Sequence, residues 1–403
     1  MQLRHCLTHN LAIMNFEKLP SGYWKVDSKK FVSKFEALKY ATDTDQNIEF
    51  VFFDPVWNSF NKTLLGKQKL NDLYRRRAQQ LRDEYDYLIL YFSGGADSYN
   101  VLRSFIDNNI KLDEVCVKWP MLAIDKQFYT PNATDTSAFN YLSEWDYAVK
   151  PVLNSLKQTH PEIKIEIVDW TENYSPSVYS EELIKKVGPW NDVEMPMMVS
   201  YSPSENFFLD KGKRVASIYG IDKPMIGYHE NKWFMCFADT ATGMGVASDN
   251  DAYNVEYFYW TPKMPEIAFE QAYVVCSYLE KQKHLLNYFY HKNATVGKEH
   301  FINSIQMQNN IIKNLIYNTW SGAFQASKPV SSDRADKHFW IFGQAEFYKH
   351  RESFIDLNSL ALTQLDPKFY NVETSGIQYK NKIRGIFKTI WSKWHFVKFR
   401  ESL

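Results

Sequence analysis

Tyr87-Leu88-Ile89-Leu90-Tyr91-Phe92-Ser93-Gly94-Gly95-Ala96-Asp97-Ser98 is the stretch on which the fold turns. Its first six residues form an uninterrupted apolar run of strand length, the pattern of a strand buried on both faces. After Ser98 come Val101, Leu102, Phe105 and Ile106 at helical spacing. Between strand and helix lies a run of small residues. Small residues let the backbone turn tightly at the carboxyl end of the strand and bring N–H groups outward, while the following helix points the positive end of its dipole at the same spot. The product is an anion cradle.

Downstream of the cradle, Glu114–Trp119 reads as a second strand and 163–170 as a third. Between them Phe139, Leu142, Trp145, Val149, Val152, Leu153 and Leu156 trace a helical pattern that Pro151 divides. Strand, helix, strand, helix, strand in this order implies right-handed crossovers and a mainly parallel sheet with helices on both faces. Residues 214–219 add another strand, and 225–228 with 233–237 form a hairpin turning at His229-Glu230-Asn231-Lys232. Residues 239–265 read as loop. From Pro265 the pattern is mainly helical, with a last strand near His395–Phe399.

Upstream, Tyr23–Val26, a helix over 31–40 and a strand over 48–53 suggest a small α/β appendage. A helix from Leu70 carries Leu73, Tyr74, Ala78 and Leu81 on one face, and Arg75, Arg76, Arg77 and Arg82 read as its solvated side. The expected fold is therefore α/β: a Rossmann-like parallel sheet over 86–240, an N-terminal α/β appendage over 1–85, and a mainly helical C-terminal region over 241–403.

The 403 residues carry 47 Lys plus Arg against 47 Asp plus Glu, so no global field draws the chain onto nucleic acid or an anionic membrane. Cys6, Cys116, Cys236 and Cys276 lie far apart without a C-x-x-C, which leaves neither a disulfide framework nor a structural zinc site. Polar and charged residues come too early for a signal peptide, and no apolar run reaches the length of a membrane span. A cytoplasmic protein with no membrane partner is expected.

The cradle itself carries the chemistry. Ser93 and Ser98 offer hydroxyl donors to phosphate oxygens, whereas Asp97 would repel a phosphate unless a cation lay between them. Magnesium accepts carboxylate and phosphate oxygens together, so the pattern implies Mg2+ and ATP rather than bare phosphate, with Asp97 as the metal ligand.

Ser93, Gly94, Gly95, Asp97 and Ser98, in the pattern S-G-G-x-D-S after a hydrophobic strand, resemble the PP-loop of the N-type ATP pyrophosphatases. That superfamily of adenine nucleotide α-hydrolase-like proteins includes asparagine synthetase, GMP synthetase, NAD synthetase, the queuosine-precursor nitrile synthase and the tRNA thiolation enzymes. The resemblance spans about residues 86–240. It implies that the loop holds the β,γ-pyrophosphate and that adenine sits around Tyr91–Phe92 and 117–119, which brings Lys118 into the cofactor site. A Walker G-x-x-x-x-G-K-[ST] loop is absent, and γ-phosphate transfer is disfavoured accordingly.

Gly220-Ile221-Asp222-Lys223-Pro224 ends another strand on the side that faces a nucleotide crevice. There Lys223 can neutralise departing pyrophosphate, as a late lysine does in the asparagine synthetase branch; the same five residues also read as an ordinary turn. Lys213 and Arg214 are weaker candidates. Gly243–Ser248 reads as a loop able to close over the site, with Asp239, Asp249 and Asp251 as nearby carboxylates.

The catalytic residues expected are thus Asp97 and Lys223, in a ligase that adenylates a carboxylate, carbonyl or nucleobase acceptor and lets ammonia or an amine displace AMP. Position 2 is Gln2 where the glutaminase-bearing relatives have cysteine, so ammonia would come from solution or from a supplying partner. Scattered cysteines place sulfur transfer second, and a non-catalytic nucleotide- or nucleic-acid-binding protein is the third reading. Basic and aromatic residues alternate from Lys380 to Arg400, a pattern able to bind nucleic acid but read first as that of a docked, half-buried terminal element.

Overall fold

The computed structural model describes residues 19–119, 121, 144–169, 201–221, 223–239, 253–282, 301–302, 310–317, 363–369 and 390–400. Strand β1 (Tyr23–Val26) turns into β2 (Lys29–Phe31), helix α1 (Lys34–Thr44) follows, and β3 (Ile48–Val51) returns to β1, giving an antiparallel sheet of order β2-β1-β3. The helix starts later than its apolar pattern suggests. Ser33 accepts the N–H of Glu36 at 3.3 Å, a cap that fixes the first turn and leaves the preceding residues to pair as β2. Helix α2 (Asp54–Ser59) then brings Trp57 beside Phe52, both fully buried.

After helix α3 (Leu70–Glu84) the main sheet is laid down. Its elements are β4 (Tyr87–Tyr91), α4 (Ala96–Ile106), β5 (Glu114–Trp119), α5 (Lys150–Thr159), β6 (Lys164–Asp169), α6 (Pro203–Leu209) and β7 (Val215–Tyr219). A π-helical turn over Glu144–Val149 runs into α5, and Pro151 sits within the first two positions of that helix, where its missing N–H costs nothing. The hairpin β8 (Met225–His229) and β9 (Lys232–Cys236) closes at Glu230 and Asn231 with φ of 46° and 60°, the left-handed pair a two-residue primed turn requires.

Residues 239–265 depart from their loop-like reading, because Tyr253–Tyr257 form β10 and pair in parallel with β7. The five-stranded sheet has the order β10-β7-β4-β5-β6, with every neighbouring pair parallel. The C-terminal region, expected mainly helical, adds strands to two sheets alongside α7 (Glu266–Lys281) and α8 (Asn310–Ile316): β11 (Phe301–Ile302) and β12 (His395–Phe399) flank the β8–β9 hairpin in the order β11-β8-β9-β12. The architecture is α/β and Rossmann-like, with the antiparallel sheets beside the parallel one.

One aromatic seam joins these parts. Phe237 at the end of β9 packs 4.9 Å from Phe52 and 4.7 Å from Trp57, and Trp260 lies 4.9 Å from Phe237, ring centroid to ring centroid. Each such buried side chain contributes about 1.5–3 kcal/mol by leaving water. Among the described residues no helix is long and apolar enough to cross a membrane.

Arg77 corrects the solvated-face reading of α3. It is fully buried and pairs with Glu256 of β10 at 2.6 Å, and Glu256 also accepts from Lys263 at 2.8 Å and from the Tyr85 hydroxyl at 2.5 Å. Burial pushes the Glu256 carboxyl up, but the charges of Arg77 and Lys263 overcome it and hold the group down at about 2. A depressed carboxyl stabilises the fold above its unfolded value of 4.5, and that contribution is lost as pH falls toward 2. The shift is worth on the order of 3 kcal/mol. Melting temperatures of the wild type and Glu256→Gln between pH 6 and pH 2 should therefore converge on acidification; a constant gap would remove Glu256 from the acid limb.

Candidate functional site

The chain lays down β4, β5 and β6 in one direction, then returns to the other side of β4 with β7 and β10. The reversal opens a crevice between the carboxyl ends of β4 and β7, where open α/β sheets take their ligands. Both segments singled out in the sequence end there. Ser93–Ser98 follows β4, and Gly220–Pro224 follows β7, with Tyr91 and Tyr219 in register on the two strands and their rings stacked 4.8 Å apart.

Phe92 donates its N–H to the Cys116 carbonyl at 2.8 Å, the last tie of this segment to β5, and the backbone then leaves the sheet. Gly94 makes the turn with φ of 74°, and a Cβ there would stand 2.9 Å from Val149 Cγ2. Gly95 caps α4 without any side-chain capping bond, and the first helical hydrogen bond is Tyr99 N–H to the Gly95 carbonyl at 2.9 Å. The N–H groups of Ala96, Asp97 and Ser98 consequently have no acceptor within the helix. An anion at this end would meet them together with the helix dipole.

The two serines behave differently from their expected role as phosphate donors. Ser98 is buried and braces the loop: its hydroxyl accepts the Ser93 N–H at 3.2 Å and donates to the Gly95 carbonyl at 3.2 Å. Ser93 is exposed, accepts the Gly95 N–H at 3.3 Å and has its hydroxyl 3.2 Å from that of Ser98, so its proton can go to Ser98 or turn to a ligand.

Asp97 and Lys223 are brought together. The Lys223 ammonium, whose side chain is 0 % exposed, donates to Asp97 Oδ1 across the crevice. Burial pushes the Asp97 carboxyl up, but the Lys223 charge and hydrogen bond, the Tyr317 hydroxyl and the Lys313 charge together hold it below its ordinary value. Gly220 allows the approach: a Cβ there would lie 2.9 Å from both the Asp97 carbonyl carbon and the Ser98 nitrogen.

Sequence reasoning missed three residues here. Tyr317, at the end of α8, donates to Asp97 Oδ1 at 2.5 Å, and Tyr259 donates to the Asp97 carbonyl at 2.8 Å. Lys313, buried one helical turn before Tyr317, adds positive charge facing Asp97. None of the three lies in a motif, and two of them are among 26 tyrosines, so no local signal marks them.

Lys118 stands apart from this cluster. Its ammonium lies over the rings of Tyr91 and Tyr201 at 4.5 and 4.9 Å, and burial draws its pKa down to about 8. No hydrogen bond or ion pair joins it to Asp97. Beneath it the sheet is polar: Tyr91 and Ser217 both donate to Glu205 of α6, at 2.5 and 2.7 Å.

Other candidates have structural partners. Asp239 pairs with Lys34 at 2.6 Å and accepts from Trp24 at 3.0 Å, which ties β1 and α1 to the end of β9. Arg214 pairs with Asp86 at 3.5 Å at the amino end of β7, the end of the sheet remote from the loop. Gly243–Ser248, Asp249 and Asp251 lie outside the described residues, as does Cys6. Cys116, Cys236 and Cys276 are buried, and burial pushes all three thiols well above their ordinary value. Lys398 of β12 pairs with Glu280 at 2.9 Å, and Arg400 just after the strand donates to the Tyr228 hydroxyl at 3.2 Å, as a docked element would.

Among the described residues no group of three or more His, Cys, Asp or Glu side chains could hold a metal by itself. One carboxylate at an anion cradle is nonetheless the donor set that suits magnesium, which is commonly held by one or two carboxylates while phosphates and water supply the remaining oxygens. Comparison of the chain with protein-family models, with curated proteins and with solved structures gives no match.

Proposed function

We propose that this chain is an ATP pyrophosphatase of the PP-loop kind, with an adenine nucleotide α-hydrolase-like core, that adenylates an acceptor and releases pyrophosphate. The observation that supports it most is the meeting of Asp97 and Lys223 at the switch point, one from the first turn of the helix after β4 and one from the end of β7. In this reading the free N–H groups of the α4 first turn bind the β and γ phosphates. Lys223 and Lys313 offset the charge that gathers on pyrophosphate as it leaves, and Lys118 lends a further positive charge on the β5 side. Magnesium, when bound, supplies charge neutralisation between phosphate and carboxylate, and Asp97 is the residue to hold it.

An acceptor oxygen, from a carboxylate, carbonyl or nucleobase, attacks the α-phosphorus, and ammonia or an amine then displaces AMP. Positioning and fixed charge account for the rate in such a site, since no side chain need form a covalent bond. Amidation ranks ahead of sulfur transfer because the three described cysteines are buried thiols, poor carriers of a persulfide. ATP–pyrophosphate exchange measured over a panel of carboxylate and nucleobase acceptors tests the reading. Exchange with one acceptor class, and AMP rather than ADP as the nucleotide product, is the expected result. Formation of ADP and phosphate, or exchange with none of them, would overturn it.

A further inference from the structure

The Asp97 carboxylate is held more closely than ion pairing with Lys223 requires. Both of its donors, Lys223 and Tyr317, converge on Oδ1; neither reaches Oδ2, and the side chain keeps 24 % of its surface in solvent. A carboxylate held by one ammonium can exchange its two oxygens by rotating about its terminal bond, a broad and soft torsion. Two donors on one oxygen, one from the segment after β7 and one from the end of α8, oppose that exchange.

Tyr317 is itself immobilised. It is fully buried, with its ring 5.5 Å from Tyr259 and 6.3 Å from Tyr74, and its N–H donates to the Lys313 carbonyl at 2.7 Å. Tyr74 in turn donates to the Ile316 carbonyl at 2.9 Å and accepts from Gln271 at 3.1 Å, so α8 is pinned to α3 and α7 beside the loop. The Lys223 ammonium also lies 5.7 Å above the Tyr317 ring. Meanwhile Tyr259, which accepts from Asn100 at 3.0 Å, clamps the Asp97 backbone. One buried hydroxyl held this firmly against a partly exposed carboxylate has a use beyond packing.

We propose that Tyr317 is a positioning residue that fixes the Asp97 carboxylate so that Oδ2 is presented to magnesium-ATP. The inference rests on the ATP reading and assigns the C-terminal region a part in the site: without α8 the cradle can form, but its metal-facing oxygen is not set. Tyr317→Phe is the matching substitution, since it keeps the ring, its packing and its contact with Lys223, and removes only the hydroxyl.

The full-length protein and this variant would be titrated with α,β-methylene-ATP, once with Mg2+ and once with EDTA, by calorimetry. The variant is expected to bind about ten-fold more weakly with Mg2+, the usual loss when a group orienting a metal ligand is removed, and unchanged in EDTA. The Mg2+ concentration for half-maximal pyrophosphate release should rise in parallel. Tyr85→Phe removes a buried hydroxyl that donates to Glu256 at the amino end of β4, touching neither Asp97 nor α8, so a general loss of stability would appear in it too while its ratio of Mg2+ to EDTA affinities stays that of the wild type. Equal weakening of Tyr317→Phe in both conditions, or no weakening in either, overturns the inference and leaves the ATP reading in place. A wild type that binds the analogue in neither condition removes both.

Discussion

Asp97→Asn is expected to slow pyrophosphate release by about 10²–10³-fold, the loss typical when one fixed group at a developing charge is removed. It should also lower the melting temperature. A sequence reading of Asp97 as a surface metal ligand would lead one to expect lost turnover with intact folding, but its partner Lys223 is 0 % exposed and loses its counter-charge in the variant. Breaking a buried pair from one side costs up to about 3–5 kcal/mol. The cost here should be nearer ~2 kcal/mol, because Asp97 is partly exposed and an amide oxygen still accepts from Lys223 and Tyr317. Lys223→Met combined with Asp97→Asn then separates the two effects. The neutral pair should recover much of the melting temperature of Asp97→Asn and none of the rate. Recovery of rate along with stability would mean that the pair only holds the fold.

Gly220→Ala is the second large effect expected, and it works without altering any charge. The added methyl would meet Asp97 C and Ser98 N at 2.9 Å and the Asp97 carbonyl oxygen at 3.0 Å, all of them backbone atoms. Neither side can yield cheaply, since β7 and β4 are paired in register up to Tyr91 and Tyr219 and the loop is clamped by Tyr259. Forcing the methyl in should cost about 1–3 kcal/mol and push the first turn of α4 out of line. Displacement of about 1 Å at a positioned group is enough for ~10²-fold in turnover. Binding of α,β-methylene-ATP and the melting temperature of Gly220→Ala read the two consequences; wild-type affinity would show that the loop does not depend on this approach.

The parts of the fold that could be read from the sequence are those whose cause is local. Buried β4 announces itself by an unbroken apolar run, the hairpin by a polar turn between two apolar runs that contains Asn231, a residue tolerant of positive φ, and the cradle by small residues in one place. Where the cause is remote, the reading stops. Arg77 looks like one of several solvated arginines until Glu256 arrives from 179 positions away, and β10 is a strand only because β7 offers it a parallel edge. The same limit divides the site. Ser93–Ser98 and Lys223 stand out by their position at strand ends, whereas Tyr317 and Tyr259 gain their meaning from a contact with Asp97 that nothing near them in the chain foretells.

The distance along the chain between Asp97 and Tyr317, 220 positions, also sets a schedule. At a synthesis rate of ~5–20 residues per second, roughly 10–45 s pass between the making of the loop and the making of the hydroxyl that orients it. For the first part of that interval β4 also waits for β7, with one edge open to other chains. A nascent chain therefore carries the whole Ser93–Ser98 loop well before it carries the residues that meet Asp97. Nucleotide captured early by the growing chain would meet the helix N-terminus but not the finished carboxylate. On the proposed ATP reading, competence to turn the nucleotide over would be acquired late, when the segment that carries Tyr317 docks beside Asp97.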